Sequence, residues 1–326
     1  MNAVVSRQDI AQAIAGDQFV LHFQPIVDLT DGRVHGTEAL IRWDHPAGGL
    51  LAPDDFMPAV AQTPAVIPIT RWVLGAACTA VSRWPAWTVG VNITARDLGR
   101  DEFVTDVLDA LETAEVSPQR LVLELTETAL VQDLPRAAAI LGQLRERGVG
   151  VALDDFGTGY SSILYLRELP ITSIKIDRMF TTGVTRDGDD RAIVTSLLTL
   201  ARNVGLVAIA EGVETEAQAE LLHSLGCPMG QGYLWASPQT QEDTHAIYRD
   251  GFVASPRRRP RRRKVRAQEW DQEVVRRVLA MAAEGASLHT IAAALNASGE
   301  RTSAGSRWHS TSVAHVINRS AEPPRR

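Results

Sequence analysis

The stretch GVALDDFGTGYSS, residues 150–162, runs four apolar or small residues into two adjacent aspartates, then into a glycine-rich turn. It reads as a buried strand whose end carries Asp154 and Asp155. Two carboxylates that close repel each other unless positive charge sits between them. Whatever supplies that charge decides what the strand end is for.

Working outward, short apolar runs recur at 19–27, 34–41, 89–93, 121–126, 149–154, 173–177, 206–210 and 232–235. Segments of helical period separate the later ones, at 70–84, 101–114, 135–148 and 190–205. In the last of these Ile193, Leu197, Leu200 and Ala201 fall on one face, and Gly205 is a helix stop. Alternating strands and helices imply a parallel sheet. Eight strands in this order match an α/β fold of the closed (β/α)8 barrel type, with a doubly wound open sheet as the rival. The first link, LTDGR at 29–33, is too short for a crossover helix, so the first two strands should be antiparallel.

Polar residues stand at most of these strand ends. Glu38, Asn92 and Glu124 lie in the second, third and fourth runs, and Asp154 and Asp155 close the fifth. Lys175 and Asp177 lie in the sixth, Glu211 follows the seventh, and Gln231 opens the eighth. In a barrel of parallel strands the C-terminal ends meet at one face, where the chemistry is done. Taken singly, Glu38 is an exposed charge or a helix cap, and GTG at 157–159 is only a tight turn, since it lacks the GK[ST] of a phosphate loop. Jointly, Glu38, Asn92, Glu124 and Asp154 offer oxygen ligands for a hard cation such as Mg²⁺ or Mn²⁺. No His or Cys cluster points to zinc. Asp154 and Asp155 together can reach two cations, which suits an in-line displacement at phosphorus. Lys175 stands out because only it and Lys264 are lysines among 33 basic residues. A compact ammonium suits charge balance and orientation of a water, and Glu211 can accept a proton or bind the second metal.

On these residues the chain resembles the EAL family of cyclic di-GMP phosphodiesterases. The signature Glu38-Ala39-Leu40 sits inside TEALIRW, and the other blocks follow in order: FQPIVDL at 23–29, VNIT at 91–94, LELTET at 123–128, LDDFGTGYSS at 153–162, IKID at 174–177, AEGVET at 210–215 and QGYLWASP at 231–238. The resemblance covers about residues 8–250. It implies a barrel with an antiparallel first strand and hydrolysis of cyclic di-GMP to linear pGpG with two Mg²⁺ or Mn²⁺ ions. By resemblance Glu38, Asn92, Glu124, Asp154 and Asp155 hold metal. Lys175 holds the catalytic water, and Glu211 is the general base or a metal-side carboxylate. Gln24, Arg42 and Gln231 contact substrate. Glu127 anchors the loop from Asp155 to Ser162, which in this family lies near a dimer contact, and Glu214 supports Glu211. A homodimer through the barrel is implied. The segment 61–72 departs from the family by lacking its usual acidic and glycine character.

Charge divides the chain. From Pro256 onward there are 15 basic and 6 acidic residues, a net of +9, while the first 255 residues carry a net of -15. We therefore expect a barrel over 1–252, a basic Pro/Arg linker over 253–266 and a small all-α, helix-turn-helix-like segment over 267–326. The linker's PRRRPRRRK, 256–264, is either a solvated spacer or a contact to a phosphate backbone. Beyond it Val274, Val278, Leu279 and Met281 mark one helix, and Ser287 caps a second that ends near Gly299. STSVAHVINR gives a third. This segment resembles the DNA-binding recombinase segment of large serine recombinases, through Ile291-Ala292, Leu295-Asn296, Gly299, Thr302, Gly305 and Trp308. That resemblance implies DNA as a partner; a helical packing or dimerisation appendage is the plainer alternative. No recombinase catalytic domain accompanies it, so strand exchange is not implied. A second overall reading follows, a cyclic di-GMP-responsive DNA-binding regulator with the barrel as its sensor. Cys78 and Cys227 form no framework, there is no apolar run of membrane-spanning length and no signal peptide, so we expect a cytoplasmic protein without membrane contact. No input domain is expected ahead of the barrel.

Overall fold

The computed structural model describes residues 7–46, 48–61, 63–84, 86–126, 133–157, 162–186, 188–248, 272–283, 286–300, 308, 312–313 and 316–317. Ten strands form one sheet: β1 (Phe19–Asp28), β2 (Val34–His45), β3 (Gly49–Leu51), β4 (Thr88–Asn92), β5 (Leu121–Thr126), β6 (Gly150–Phe156), β7 (Ser173–Ile176), β8 (Val207–Ala210), β9 (Met229–Gln231) and β10 (Gln239–Thr240). Their order is β10-β1-β9-β8-β7-β6-β5-β4-β2-β3, and a further β1–β2 pairing closes the ring. Eight strands make the barrel, with β3 and β10 as short antiparallel additions. The rival open sheet is excluded by that closure.

The seven strands from β2 through β9, β3 apart, run parallel, and β1 runs against them, Ile26 facing Gln231. The short first link explains the reversal. Asp28 N–H donates to Arg33 O at 2.8 Å, and Gly32 takes a positive φ of 75°. A five-residue turn can only reverse the chain; a parallel neighbour needs a crossover. Period two then sorts the side chains. In β5, Leu121, Leu123 and Leu125 are fully or almost fully buried on one face, while Glu124 falls on the other.

The crossovers are α1 (Arg7–Ala15), α2 (Pro53–Val60), α3 (Val66–Ser82), α4 (Ala95–Leu98), α5 (Glu102–Thr113), α6 (Leu134–Glu146), α7 (Ser162–Glu168), α8 (Arg178–Gly183), α9 (Gly188–Asn203), α10 (Glu216–Ser224) and α11 (Gln241–Tyr248), with α1 preceding the first strand. α3 starts at Val66, inside the 61–72 segment that departs from the family, and buries Ile69, Val73, Leu74, Ala77 and Val81. α5 buries Phe103, Val107 and Leu111 at helical spacing.

Two details correct the sequence reading. α9 buries Val194, Leu198 and Ala201, whereas Ile193 is 39% exposed. Two apolar stripes overlap in that helix, and packing against the sheet selects the one displaced by about 100°. The eighth strand is Met229–Gln231, and Gly232–Trp235 is a turn, so Gln231 ends a strand.

Backbone contacts divide the chain into two compact units. The first comprises residues up to Ala11, Leu21–Ile41 and Met57 through the described residues before Arg258. The second comprises Gln12–Val20, Arg42–Phe56 and the described residues beyond Arg259. In the second unit Phe19, Trp43 and Phe56 pack with ring centroids 5.5–6.0 Å apart, and Trp43 Nε1 donates to Gln18 Oε1 at 3.0 Å. Its helices α12 (Gln272–Ala283) and α13 (Leu288–Ala297) enclose a core of Val274, Val278, Ile291, Ala292, Leu295, Trp308, Val313 and Val316. Leu279, expected among the apolar positions, is exposed. Ser287 caps α13 by accepting from Thr290 N–H, and Gly299 ends it with φ 79°. Asn296 pins Trp308 through two 2.8 Å bonds, donating to its carbonyl and accepting from its N–H.

Candidate active site

Register places the polar set at one end of the barrel. Glu38 pairs with Gly90, Asn92 with Glu124, and Thr126 with Asp154. Lys175 lies on β7, and Glu211 directly follows β8, its N–H donating to Ile176 O. Lys175 is 1% exposed, and its ammonium meets four carboxylates: Glu38 at 2.9 Å, Glu124 at 2.8 Å, Glu211 at 2.8 Å and Asp154 at 3.4 Å. Glu38 is held on three sides. Its Oε2 accepts from Lys175 and from Gln231 Nε2 at 2.8 Å, and its Oε1 accepts from Asn92 Nδ2 at 2.8 Å. Gln231 Nε2 also donates to Gln24 Oε1 at 3.1 Å, while Gln24 donates to Ala236 O.

The adjacent aspartates now have a structural account. Side chains of successive strand residues point to opposite faces, so Asp154 and Asp155 would ordinarily diverge. The register of β6 shifts between Leu153 and Phe156, and Asp155 adopts φ 54°, a left-handed conformation that non-glycine residues rarely take. The distortion returns Asp155 to the same cluster. Carboxylate oxygens of Asp154, Asp155 and Glu211 lie within 4.8 Å of one another, as do those of Glu38, Glu124 and Asp154. Asp154 belongs to both groups. Strain of this kind persists where the surroundings impose it, commonly at functional sites.

The electrostatics follow from four carboxylates facing one ammonium, with Asp155 beside them. Burial acts against charge on Lys175, but Glu124, Glu211, Glu38 and Asp154 outweigh it and hold the ammonium well above the usual lysine range. Burial also acts to raise Glu38, yet Lys175, then Gln231 and Asn92, hold it below the carboxylate range. Glu124 is driven well up by burial and by Glu38 and Asp154, against Lys175. Asp154 is raised by burial and Glu38 against Lys175. Burial pushes Glu211 up to about 8, with Asp154 and Glu38 adding to it. Asp155 is pushed up to about 6 by burial, the Asp154 charge and a hydrogen bond with Asp177.

Residues 7–238 match the EAL domain family, which is more than half of the chain. This chain belongs to the EAL domain family. It is 42% identical over 252 residues to the bifunctional diguanylate cyclase/cyclic di-GMP phosphodiesterase MucR of Pseudomonas aeruginosa, covering 74% of this chain and 37% of that protein. It is 40% identical over 236 residues to the cyclic di-GMP phosphodiesterase NbdA of the same organism, covering 71% of this chain and 30% of that one. The solved PaMucR phosphodiesterase in complex with c-di-GMP superimposes with a TM-score of 0.69 at 42% identity, over 73% of this chain and 98% of that one. The chain thus spans about a third of the length of these curated relatives. Residues 269–321 match the Recombinase family.

The donor set of this EAL domain fits divalent metal. Its side-chain oxygens converge in two groups that share Asp154, and one ammonium leaves most of their negative charge unbalanced. Carboxylates that burial drives toward protonation at neutral pH regain their charge when a cation joins them. Asn92 commits its amide nitrogen to Glu38 at 2.8 Å, which leaves its carbonyl oxygen as the side-chain atom able to ligate a cation.

The other expected residues fall as follows. Arg42 lies on β2 four residues beyond Glu38, on the same face of the strand. Glu214 is exposed in the loop after β8; its backbone N–H donates to Gln218, and among the described residues no hydrogen bond joins it to Glu211. Glu127 and loop residues 158–161 lie outside the described residues, as do the basic linker, Thr302 and Gly305. The sequence reading missed Gly90. A Cβ there would overlap Glu124 Oε1, so the glycine makes room for the carboxylate inside the barrel. A glycine within a strand is the signal for such a close approach.

Proposed function

We propose that this EAL domain is a metal-dependent phosphodiesterase that hydrolyses cyclic di-GMP to linear pGpG. The observation that carries the reading is Lys175 buried among four carboxylates, with Asp154 shared between two groups of converging oxygens. The names of MucR and NbdA and the ligand in the PaMucR structure support the substrate.

Glu38, Asn92, Glu124 and Asp154 would hold one Mg²⁺ or Mn²⁺, and Asp154, Asp155 and Glu211 would hold a second. When bound, two such ions supply Lewis-acid stabilisation of the charge developing at phosphorus. Lys175, surrounded by carboxylates that favour its ammonium form, balances their charge and orients water. Glu211, in contact with Lys175 and grouped with Asp154 and Asp155, is the general base that accepts the water's proton or a metal-side carboxylate. Water oxygen bonds to phosphorus as it gives up a proton, the P–O3′ bond breaks, and the 3′-oxygen leaves as a hydroxyl by taking a proton from solvent, so one water is consumed and no net proton is lost from the site. Gln24 and Gln231 form the amide wall beside Glu38 and contact substrate. Arg42 pairs with a phosphate, which its fork suits. Glu127 and Glu214 are supporting residues, and a homodimer through the barrel belongs to the same reading. Incubation of the full chain with cyclic di-GMP and Mn²⁺ or Mg²⁺, followed by chromatography, should yield pGpG. A chelator should abolish the product and added Mn²⁺ restore it. Tight ligand binding without pGpG would make the barrel a receptor instead.

The C-terminal segment supports a second, compatible reading: a cyclic di-GMP-responsive DNA-binding regulator. Its Recombinase match, the compact core around Trp308 and the net charge of +9 from Pro256 onward favour duplex DNA as a partner. In a mobility-shift assay at low salt, the full chain should retard duplex DNA and a chain cut after Ser255 should not, with the difference shrinking as salt rises. Equal behaviour of the two chains removes DNA from the account. Cys78 and Cys227 are free and buried, and among the described residues no helix is long and apolar enough to cross a membrane. A cytoplasmic location accords with both readings.

A further inference from the structure

The loop that follows Asn92 is fastened by a residue outside the acidic cluster. Thr94 and Asp97 form a capping box at the start of α4. A capping box normally places Glu or Gln at its third helical position, whose longer side chain reaches back to the N-cap. Here the shorter Asp97 does it from full burial, at 0% exposure. One oxygen takes all the bonds: Asp97 Oδ2 accepts from Thr94 N–H at 2.9 Å, Thr94 Oγ1 at 2.7 Å and Thr70 Oγ1 at 3.1 Å. Thr70 lies on α3, so the carboxylate ties the β4–α4 corner to the outer helical layer. Asp97 Oδ1 is buried without a hydrogen-bond partner among the described residues. Leaving a carboxylate in so dry a place costs stability, and burial does push the carboxyl upward while the Thr94 and Thr70 bonds pull it back. A neutral residue would cap so short a helix more cheaply.

What that cost secures is the position of Asn92. Only Ile93 separates Asn92 from Thr94, and Ile93 N–H is itself bonded to Glu124 O at 2.8 Å. Asn92 Nδ2 in turn fixes the orientation of Glu38. We propose that Asp97 is a positioning residue for the metal-binding end of the barrel, acting through Thr94 and Asn92 on the Glu38 carboxylate. The inference rests on the metal-dependent reading given above. Groups hydrogen-bonded directly to metal ligands commonly change metal affinity by about 10–100-fold when removed; Asp97 acts further out, through the Thr94 backbone, so the low end of that range applies.

The test uses the full chain and two readouts: direct Mn²⁺ binding by calorimetry, and the Mn²⁺ concentration that half-saturates pGpG formation. Asp97→Ala removes all three bonds and should weaken Mn²⁺ about tenfold or more, lowering kcat with little change in KM for cyclic di-GMP. Asp97→Asn keeps an oxygen in the place of Oδ2 and should restore Mn²⁺ binding to within about threefold of wild type. Should Asp97→Ala fail to fold, Thr70→Val removes only the tie to α3, and it should weaken Mn²⁺ in the same direction by a smaller factor. A role confined to stability predicts lower melting temperatures with unchanged Mn²⁺ affinity in the folded protein, and that outcome overturns the proposal. If wild type binds Mn²⁺ but makes no pGpG, the phosphodiesterase reading fails while the binding comparison still decides the role of Asp97. If wild type binds no Mn²⁺, both fall.

Discussion

Lys175→Met should cost the metal-free protein about 3–5 kcal/mol of stability, the range typical of breaking a buried ionic network by removing one partner. Methionine fills the volume but leaves Glu38, Glu124, Asp154 and Glu211 facing one another without their shared cation. The loss should depend on pH in a definite direction. A buried carboxyl whose folded pKa lies above its unfolded value binds a proton that the unfolded chain has released, so its contribution to stability is lost as pH rises from about 4.5 through the folded pKa. Glu211 is already pushed up to about 8 with Lys175 present, and Glu124 and Asp154 are raised. Without the ammonium all of them rise further. Thermal unfolding should therefore show a small deficit for the variant near pH 5 and a large one near pH 8. Mn²⁺ should recover part of the deficit at pH 8, because it replaces the missing charge. A variant as stable as wild type at pH 8 without metal would mean that the four acids do not share the charge of Lys175. Hydrolysis should be lost in the variant even where Mn²⁺ restores the fold.

Glu38→Ala should reduce pGpG formation by about a thousandfold or more, equivalent to about 4 kcal/mol of barrier. Glu38 is the acceptor on which Lys175, Gln231 and Asn92 all converge, so its loss frees three donors at once. The fold should survive, because Lys175 keeps Glu124, Asp154 and Glu211 and the cluster carries one negative charge fewer. Turnover within about threefold of wild type, in a variant that melts like wild type, would remove Glu38 from the chemistry. Glu38→Gln sharpens the comparison: it keeps the size and loses the charge, so a loss of activity equal to that of alanine would point to cation binding.

Much of this arrangement can be read in the sequence because strands have a short period. Glu124 alternates with Leu121, Leu123 and Leu125, so its face is set once the strand is recognised. The antiparallel first strand is legible in the length of LTDGR. The core face of α9 is not legible, because Ile193/Leu197/Leu200 and Val194/Leu198/Ala201 are both apolar stripes of helical spacing and only the sheet chooses between them. The eighth strand is misplaced for a related reason: Gly232–Trp235 looks apolar and extended, yet Leu234 N–H and Trp235 N–H bond back to Val213 O and Gly232 O, and the chain turns. Asp155 belongs to a third kind. Adjacent aspartates signal a shared purpose, but the positive φ and shifted register that turn both inward are set by the folded neighbours of β6. Gly90 carries a local signal, a glycine within a strand, but its partner Glu124 shows only in the fold, and Asp97 acts through burial, which no local pattern reveals.

The reversed β1 has a consequence for the order of events during folding. Ring closure joins Ile26, Val27 and Asp28 to residues 229–231, about 200 positions along the chain. Contacts that distant are slow to form because a large loop must close before they reward it. The Lys175 contacts to Glu124, Asp154 and Glu211 need only residues 124–211, whereas Gln24–Gln231 and Gln231–Glu38 require the first and last strands of the ring to have met. The amide wall beside Glu38 is therefore expected to be completed late. Binding at the acidic end should then report on whether the barrel has closed, since Gln231 reaches both Gln24 and Glu38.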